Sequence, residues 1–167
     1  MLTKSEFIAT LEREAATLSH LVGKVQPAHL AFRLTPPQRS TEELIRYLAT
    51  QWTGSVSYFV SGSWDGWSAA DAASKTVTPA TFAAAMSRQI DEVKAMLAPI
   101  SEADFATRAS KDAMGTAMPL AQAIFGGTVA WTFGYKMQLF LQLKAAGLAD
   151  IGTSNLWMGV DKKAAAT

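Results

Sequence analysis

Cysteine is absent from this chain of 167 residues, and histidine is nearly so, with only His20 and His29. The first absence excludes disulfides, thiolate nucleophiles and every cysteine-based zinc or iron–sulfur site. It suits a reducing compartment, and the cytoplasm is the expected location. The second excludes any site built from three imidazoles. Charge is scarce as well: charged residues make up 17% against 49% hydrophobic, so a solvated, unfolded chain is excluded for most of the length. Fifteen basic and 14 acidic residues leave a net charge of +1, and no Lys/Arg stripe is present to neutralise several phosphates. A nucleic-acid partner is therefore not expected. The opening MLTKSEFIATLERE alternates charged and apolar residues and is not read as a secretory signal.

Charge is missing most completely from two stretches. None occurs between Asp112 and Lys136, and none from Tyr47 to Trp64. The first is long enough to span a bilayer. It also contains Pro119, Gln122, Gly126, Gly127, Thr128, Thr132 and Gly134, and no second span accompanies it. It is read as a buried helix, with no membrane partner. Two helices so poor in charge are expected to lie against each other at the centre of the fold.

What is present is helical. Thr3-Lys-Ser-Glu6 is a capping box opening a first helix that runs to about Val22 and stops near Gly23. Phe7, Leu11, Leu18, Leu21 and Val22 form its inner stripe, with Glu12, Arg13 and Glu14 placed outside. Pro27 and Pro36-Pro37 break the chain, with room for a short turn between Ala28 and Phe32. Ser40-Thr-Glu-Glu43 is a second capping box, opening a helix through Leu44, Tyr47, Leu48, Gln51, Trp52, Ser55 and Tyr58. Ser61 to Ser68 reads as a turn-rich loop around Asp65-Gly66. Thr78-Pro79 starts a third helix, with Phe82, Met86, Ile90, Val93 and Leu97 inward, that ends at Pro99. Ser101 to Asp104 can cap one short turn before a linker from Lys111 to Met118. The fourth helix spans Pro119 to Gly147, with Lys144 in its last turn. Leu156-Trp157-Met158 is expected to dock on the bundle, and 161–167 to form a flexible tail. No repeat and no useful period-two strand pattern occurs. The expected fold is all-α, a four-helix bundle over residues 1–160 with a long connection between the second and third helices.

Arg39-Ser40 at the second helix, the run Thr128-Val-Ala-Trp-Thr-Phe-Gly-Tyr-Lys-Met-Gln-Leu139 and the closing Leu143-Lys-Ala-Ala-Gly147 resemble the DinB-like family of bacterial four-helix-bundle proteins, also called the YfiT-like metalloenzymes. The likeness extends over nearly the whole chain. It implies a divalent metal held by three histidines, one about two turns after the capping serine and two spaced four apart in the fourth helix. Those places fall here on Tyr47, Trp131 and Tyr135, while Lys136 and Gln138 match the residues that follow the last ligand. All three ligand positions depart from the pattern. The expectation is a degenerate site with no metal and no cofactor, and neither His20 nor His29 lies in the two helices that would carry it.

Trp131 and Tyr135 are one turn apart, with Gln138 and Gln142 continuing their face; Tyr47, Gln51 and Tyr58 recur likewise on the second helix. If these faces meet, the centre is lined by phenols, an indole and amides. Tyr47, Gln51, Trp131, Tyr135 and Gln138 are the candidate ligand-binding residues. The site then serves either as core packing or as a pocket for a small apolar or aromatic molecule. The alternative is a thiol-dependent transferase or isomerase, as in metal-dependent relatives, with Tyr47 or Tyr135 as acid. Lys136 points about 100° from Tyr135 on an ideal helix. Gly126, Ala130 and Gly134 make a small-residue ridge read as the close approach of a neighbouring helix. A homodimer is expected, because relatives often pair and the uncharged helices carry more apolar surface than one core needs. Trp64 and Trp67 could form a lid, a dimer contact or a tucked loop.

Overall fold

The computed structural model describes residues 3–162. Its first helix, α1 (Lys4–Val22), is closed at the N-terminus by the capping box: the Glu6 amide donates to Thr3 Oγ1 at 3.2 Å and the Thr3 amide to Glu6 Oε2 at 2.9 Å. A 3₁₀ turn at Pro27–His29 follows. Helix α2 (Thr41–Ser61) repeats the device with Ser40 and Glu43, at 3.2 and 2.8 Å. Both helices begin and end where capping chemistry places them.

The next segment corrects the sequence reading. Asp65–Ser74 is a helix, α3, and not a loop. The Asp65-Gly66 pair outweighed the alanines at 69, 70, 72 and 73, each a strong helix former. Helix α4 (Phe82–Leu97) starts later than Thr78-Pro79, because Thr78 to Thr81 closes on itself as a turn, the Thr78 amide donating to Thr81 Oγ1 at 3.0 Å. Helix α5 (Glu102–Thr107) is capped by Ser101 as expected.

The linker from Lys111 to Met118 is a small hairpin. Strand β1 (Ala109–Lys111) pairs antiparallel with β2 (Ala117–Pro119), Ser110 facing Met118. Asp112 Oδ1 accepts from the Met114 and Thr116 amides at 2.9 and 2.8 Å and shapes the turn. Three-residue strands are too short for alternation to reveal.

The expected fourth helix is continuous in course but interrupted in winding. It comprises α6 (Leu120–Ile124), a π turn at Phe125–Val129 and α7 (Ala130–Ala145). Gly127 lies in that turn against Phe59; a Cβ there would come 2.1 Å from the ring. Gly147 takes φ +111° just beyond α7. A last helix, α8 (Thr153–Met158), lies on α1.

Helices α1, α2, α4 and α7 enclose one apolar cluster containing Phe7, Trp52, Phe82, Phe105 and a large aliphatic set. Helices α2 and α7 run antiparallel, Thr41 meeting Gln142 at one end and Ser55 meeting Thr128 further along. Among the described residues no helix is long and apolar enough to cross a membrane.

Several burial expectations are revised. Glu14 is buried and not outward, because it falls on the stripe of Phe7, Leu11, Leu18 and Leu21. His29 is buried, its Nδ1 accepting from the Gln26 amide at 3.1 Å. Of the C-terminal apolar trio only Leu156 docks; Trp157 and Met158 stay 52% and 67% exposed. Gly126, Ala130 and Gly134 face outward and meet no neighbouring helix of the chain. Asp161 is tied by Lys24 at 2.6 Å, and 163–167 of the expected tail lie outside the described residues.

Candidate functional site

Helices α2 and α7 do bring two of the candidate residues together. The Tyr47 and Tyr135 rings lie 4.5 Å apart between centroids, tilted by 58°. Arg39 reaches over them from the segment before α2, its guanidinium carbon 4.0 Å from the Tyr47 centroid and 5.6 Å from that of Tyr135. Trp67 of α3 closes the other side, 5.8 Å from Tyr47. Trp67 can lie there because Gly54 of α2 has no side chain; a Cβ at that position would come 2.5 Å from the indole. Burial is the main cause that pushes the Tyr47 phenol well above the usual tyrosine range, and the neighbouring Tyr135 adds to it, while Arg39 works in the opposite direction. Tyr47 is therefore a neutral hydroxyl at any physiological pH.

Between α2 and α3 this cluster opens into a hollow of about 340 Å³, lined by Arg39, Arg46, Tyr47, Trp67, Asp71 and Lys75 among others. Its charges are unevenly engaged. Glu43 is held by Arg33 at 2.7 Å, and Arg46 by Glu42 at 2.6 Å. Among the described residues no carboxylate pairs with Arg39 or Lys75, and Arg46 Nε is buried without a partner. Among the described residues Asp71 is the one carboxylate of the hollow left unpaired, so cationic donors exceed free acceptors.

The other candidates go elsewhere. Gln51 turns into the core, donating to the Thr128 carbonyl at 2.8 Å. Thr132 Oγ1 donates to the same carbonyl at 2.6 Å and accepts from Trp52 Nε1 at 2.8 Å. Gln89 of α4 joins this layer: its amide donates to the Leu48 carbonyl at 3.0 Å and accepts from the Trp52 amide at 2.9 Å. The space between α2 and α7 is thus occupied by a polar network in which Gln142 Oε1 alone, among the described side chains of that layer, is buried without a partner, and the hollow lies beside it. Trp131 joins neither tyrosine. It lines a separate hollow of about 320 Å³ with Phe59, Met114, Met118 and Gln122. Gln138 is half-buried and is not part of the cationic hollow. Gln142 donates to Thr41 Oγ1 at 3.0 Å and to the Phe32 carbonyl at 2.9 Å. Tyr58 stacks on Trp64 with centroids 4.0 Å apart.

Why the face divides is geometric. The inner line of α7 passes through Thr132, Leu139 and Leu143. Tyr135 lies close enough to that line to reach α2, whereas Trp131 and Lys136 fall on opposite flanks. Lys136 is buried against α1, Nζ 2.5 Å from Glu14 Oε2, with Phe133 and Trp157 rings 5.3 and 4.8 Å from the ammonium.

The residues standing where the resemblance places a metal do not fit one. Two of the three meet, but a neutral phenol is a poor ligand, and the third ring is elsewhere. Among the described residues no group of three His, Cys, Asp or Glu side chains converges. Sequence reasoning missed Arg39, Trp67 and Lys75 as site residues. The missed signal was the alanine run of α3, which turns Trp67 from a loop residue into one wall of the hollow. Compared with known proteins, the chain matches no family model and no curated protein.

Proposed function

We propose that this chain is a DinB-like four-helix bundle, working in the cytoplasm as a homodimer, that binds a small flat organic anion in the hollow between α2 and α3. The observation that carries the reading is Arg39: a guanidinium laid on the Tyr47 face, 4.0 Å from its centroid, with no carboxylate of its own among the described residues. Tyr47 and Trp67 offer the flat walls on which a conjugated ring can stack. Arg39 and Lys75 supply the charge that a carboxylate needs, and the Tyr47 hydroxyl donates and does not compete for protons. The resemblance to the DinB-like family supports the architecture only, through the motifs of α2 and α7. Pairing is supported by the apolar surface that α7 leaves uncovered.

The test is calorimetric titration with benzoate and indole-3-acetate beside their neutral amides. The acids are expected to bind at least about tenfold more tightly than the amides, a difference of about 1.4 kcal/mol. Arg39→Ala should remove that preference and added salt should weaken it. Equal binding of acid and amide, or an unchanged preference in the variant, rejects the anion. Within the enzymatic alternative, Tyr47 as the acid toward a thiol substrate is disfavoured because a phenol raised this far is a weak proton donor near neutrality. Turnover of a thiol with an electrophile that is lost in Tyr47→Phe would restore it.

A further inference from the structure

The outward face of α7 is built of two parallel rows of side chains. One row is small, Gly126, Ala130 and Gly134; the other is large, Phe133, Met137 and Leu141. Each row is spaced by four residues, so each is one of the ridges along which helices interdigitate. The small row is exposed, and nothing lies within 4 Å of where a Cβ would stand at Gly126 or Gly134. In the large row Phe133 is 36% and Leu141 49% exposed. Lys136 is the one charged residue within this run, and it is turned inward and 1% exposed. The face therefore presents no charge from Gly126 to Leu141, while α4 carries Arg88, Asp91, Glu92 and Lys94 on its outer side.

We infer that a second copy of this chain docks antiparallel on this face, its large row seated in the small row of the first copy. The inference rests on the homodimer proposed above and names its surface and register. With a two-fold axis between positions 133 and 134, Gly126 faces Leu141, Ala130 faces Met137 and Gly134 faces Phe133. Every small position then meets a large one, and symmetry makes each contact twice. This spacing is complementary to itself, which is the reason to choose a second copy as the occupant.

The extent of the surface agrees. The two rows run about 22 Å along the helix. A stable pair buries about 800 Å² on each side, more than one helix stripe supplies. Exposed apolar residues beyond the two rows add to it. Of the nine large hydrophobic residues exposed among the described residues, six are Phe125, Phe133, Leu141, Trp157, Met158 and Val160. Trp157 and Phe133 stand together, both rings close to the Lys136 ammonium, so the patch continues from α7 onto α8.

The chain has no cysteine of its own, which makes cross-linking specific. Ala130→Cys and Met137→Cys chains are purified separately, mixed and oxidised. The mixture should give a covalent dimer of one of each, several times more abundant than either variant yields alone. Analytical ultracentrifugation of the wild type and of Gly134→Arg is run beside it. The arginine replaces a glycine in a helix at an open position, so the monomer keeps its fold, as its far-ultraviolet circular dichroism will report. The dimer dissociation constant should rise about a hundredfold, because an unpaired charge would be buried. A wild type that stays dimeric while Gly134→Arg pairs equally well, with no mixed cross-link, overturns this face but leaves pairing intact. A monomeric wild type overturns both. A monomer that cosediments with phosphatidylcholine–phosphatidylglycerol vesicles, and loses that binding in Gly134→Arg, overturns the second copy in favour of lipid.

Discussion

Lys136 and Glu14 form a buried ion pair. Their side chains are 1% and 6% exposed, with 2.5 Å between Nζ and Oε2, and they join α7 to α1 across the core. Removing one partner leaves the other charge buried and alone. Lys136→Met or Glu14→Leu alone should lower unfolding free energy by about 3–5 kcal/mol, whereas the double variant should fall within about 1 kcal/mol of wild type or exceed it. Chemical denaturation of the four proteins measures this cycle; single losses below about 0.5 kcal/mol would show the pair to be unimportant. Glu14 was expected outside with Glu12 and Arg13, although its spacing from Phe7, Leu11 and Leu18 already placed it on the inner stripe. A carboxylate in that position demands a partner. The partner was not readable, since nothing in one helix says which flank of another it will face. The same limit separates Tyr47 and Tyr135, which meet, from Trp131 and Gln51, which go elsewhere.

Helix α2 illustrates what an element can specify alone. Its capping box was legible because the chemistry is local, four residues satisfying one another's amides. Arg33 extends it in space, with its guanidinium on Glu43 at 2.7 and 2.9 Å. Chiefly through Arg33, and then through the Ser40 amide, the Glu43 carboxyl is held down from 4.5 to about 2. A depressed carboxylate stabilises the fold fully above its unfolded pKa and loses that contribution as pH falls through its folded one. The window is therefore from about pH 4.5 down to about 2, and its depth is modest because both side chains are solvent-exposed. Thermal melts across that range should show a steeper fall for wild type than for Arg33→Ala. Parallel curves would remove Arg33 from the capping arrangement. Helix α3 was misread because turn residues at its start were weighed above its alanines. The π turn left no sequence trace beyond Gly126-Gly127; Gly127 is required there because the Phe59 ring occupies the place of a side chain.

Across the molecule, α3 is an outer layer. It rests on α2, and Ser74 is its one buried residue. Amide exchange should report this arrangement, with α3 opening at lower free energy than the centres of α2, α4 and α7. Gly54→Ala should push Trp67 off α2, accelerate exchange in α3 by roughly tenfold or more, and leave α4 unchanged. Uniform acceleration everywhere would mean that α3 belongs to the cooperative core. The sequence alone determined the mostly helical character, the ends of α1 and α2, the facing of two charge-poor helices and the absence of any three-imidazole site. These follow from composition, capping and periodicity, which act over one turn or one face. Only the tertiary structure decided which flank of α7 receives Lys136, that the centre is filled by Gln51, Thr132 and Gln89, and that the open hollow lies to one side. Helical periodicity defines a face only to within a residue or so. Packing against three other helices settles the rotation that remains, and with it which side chains meet.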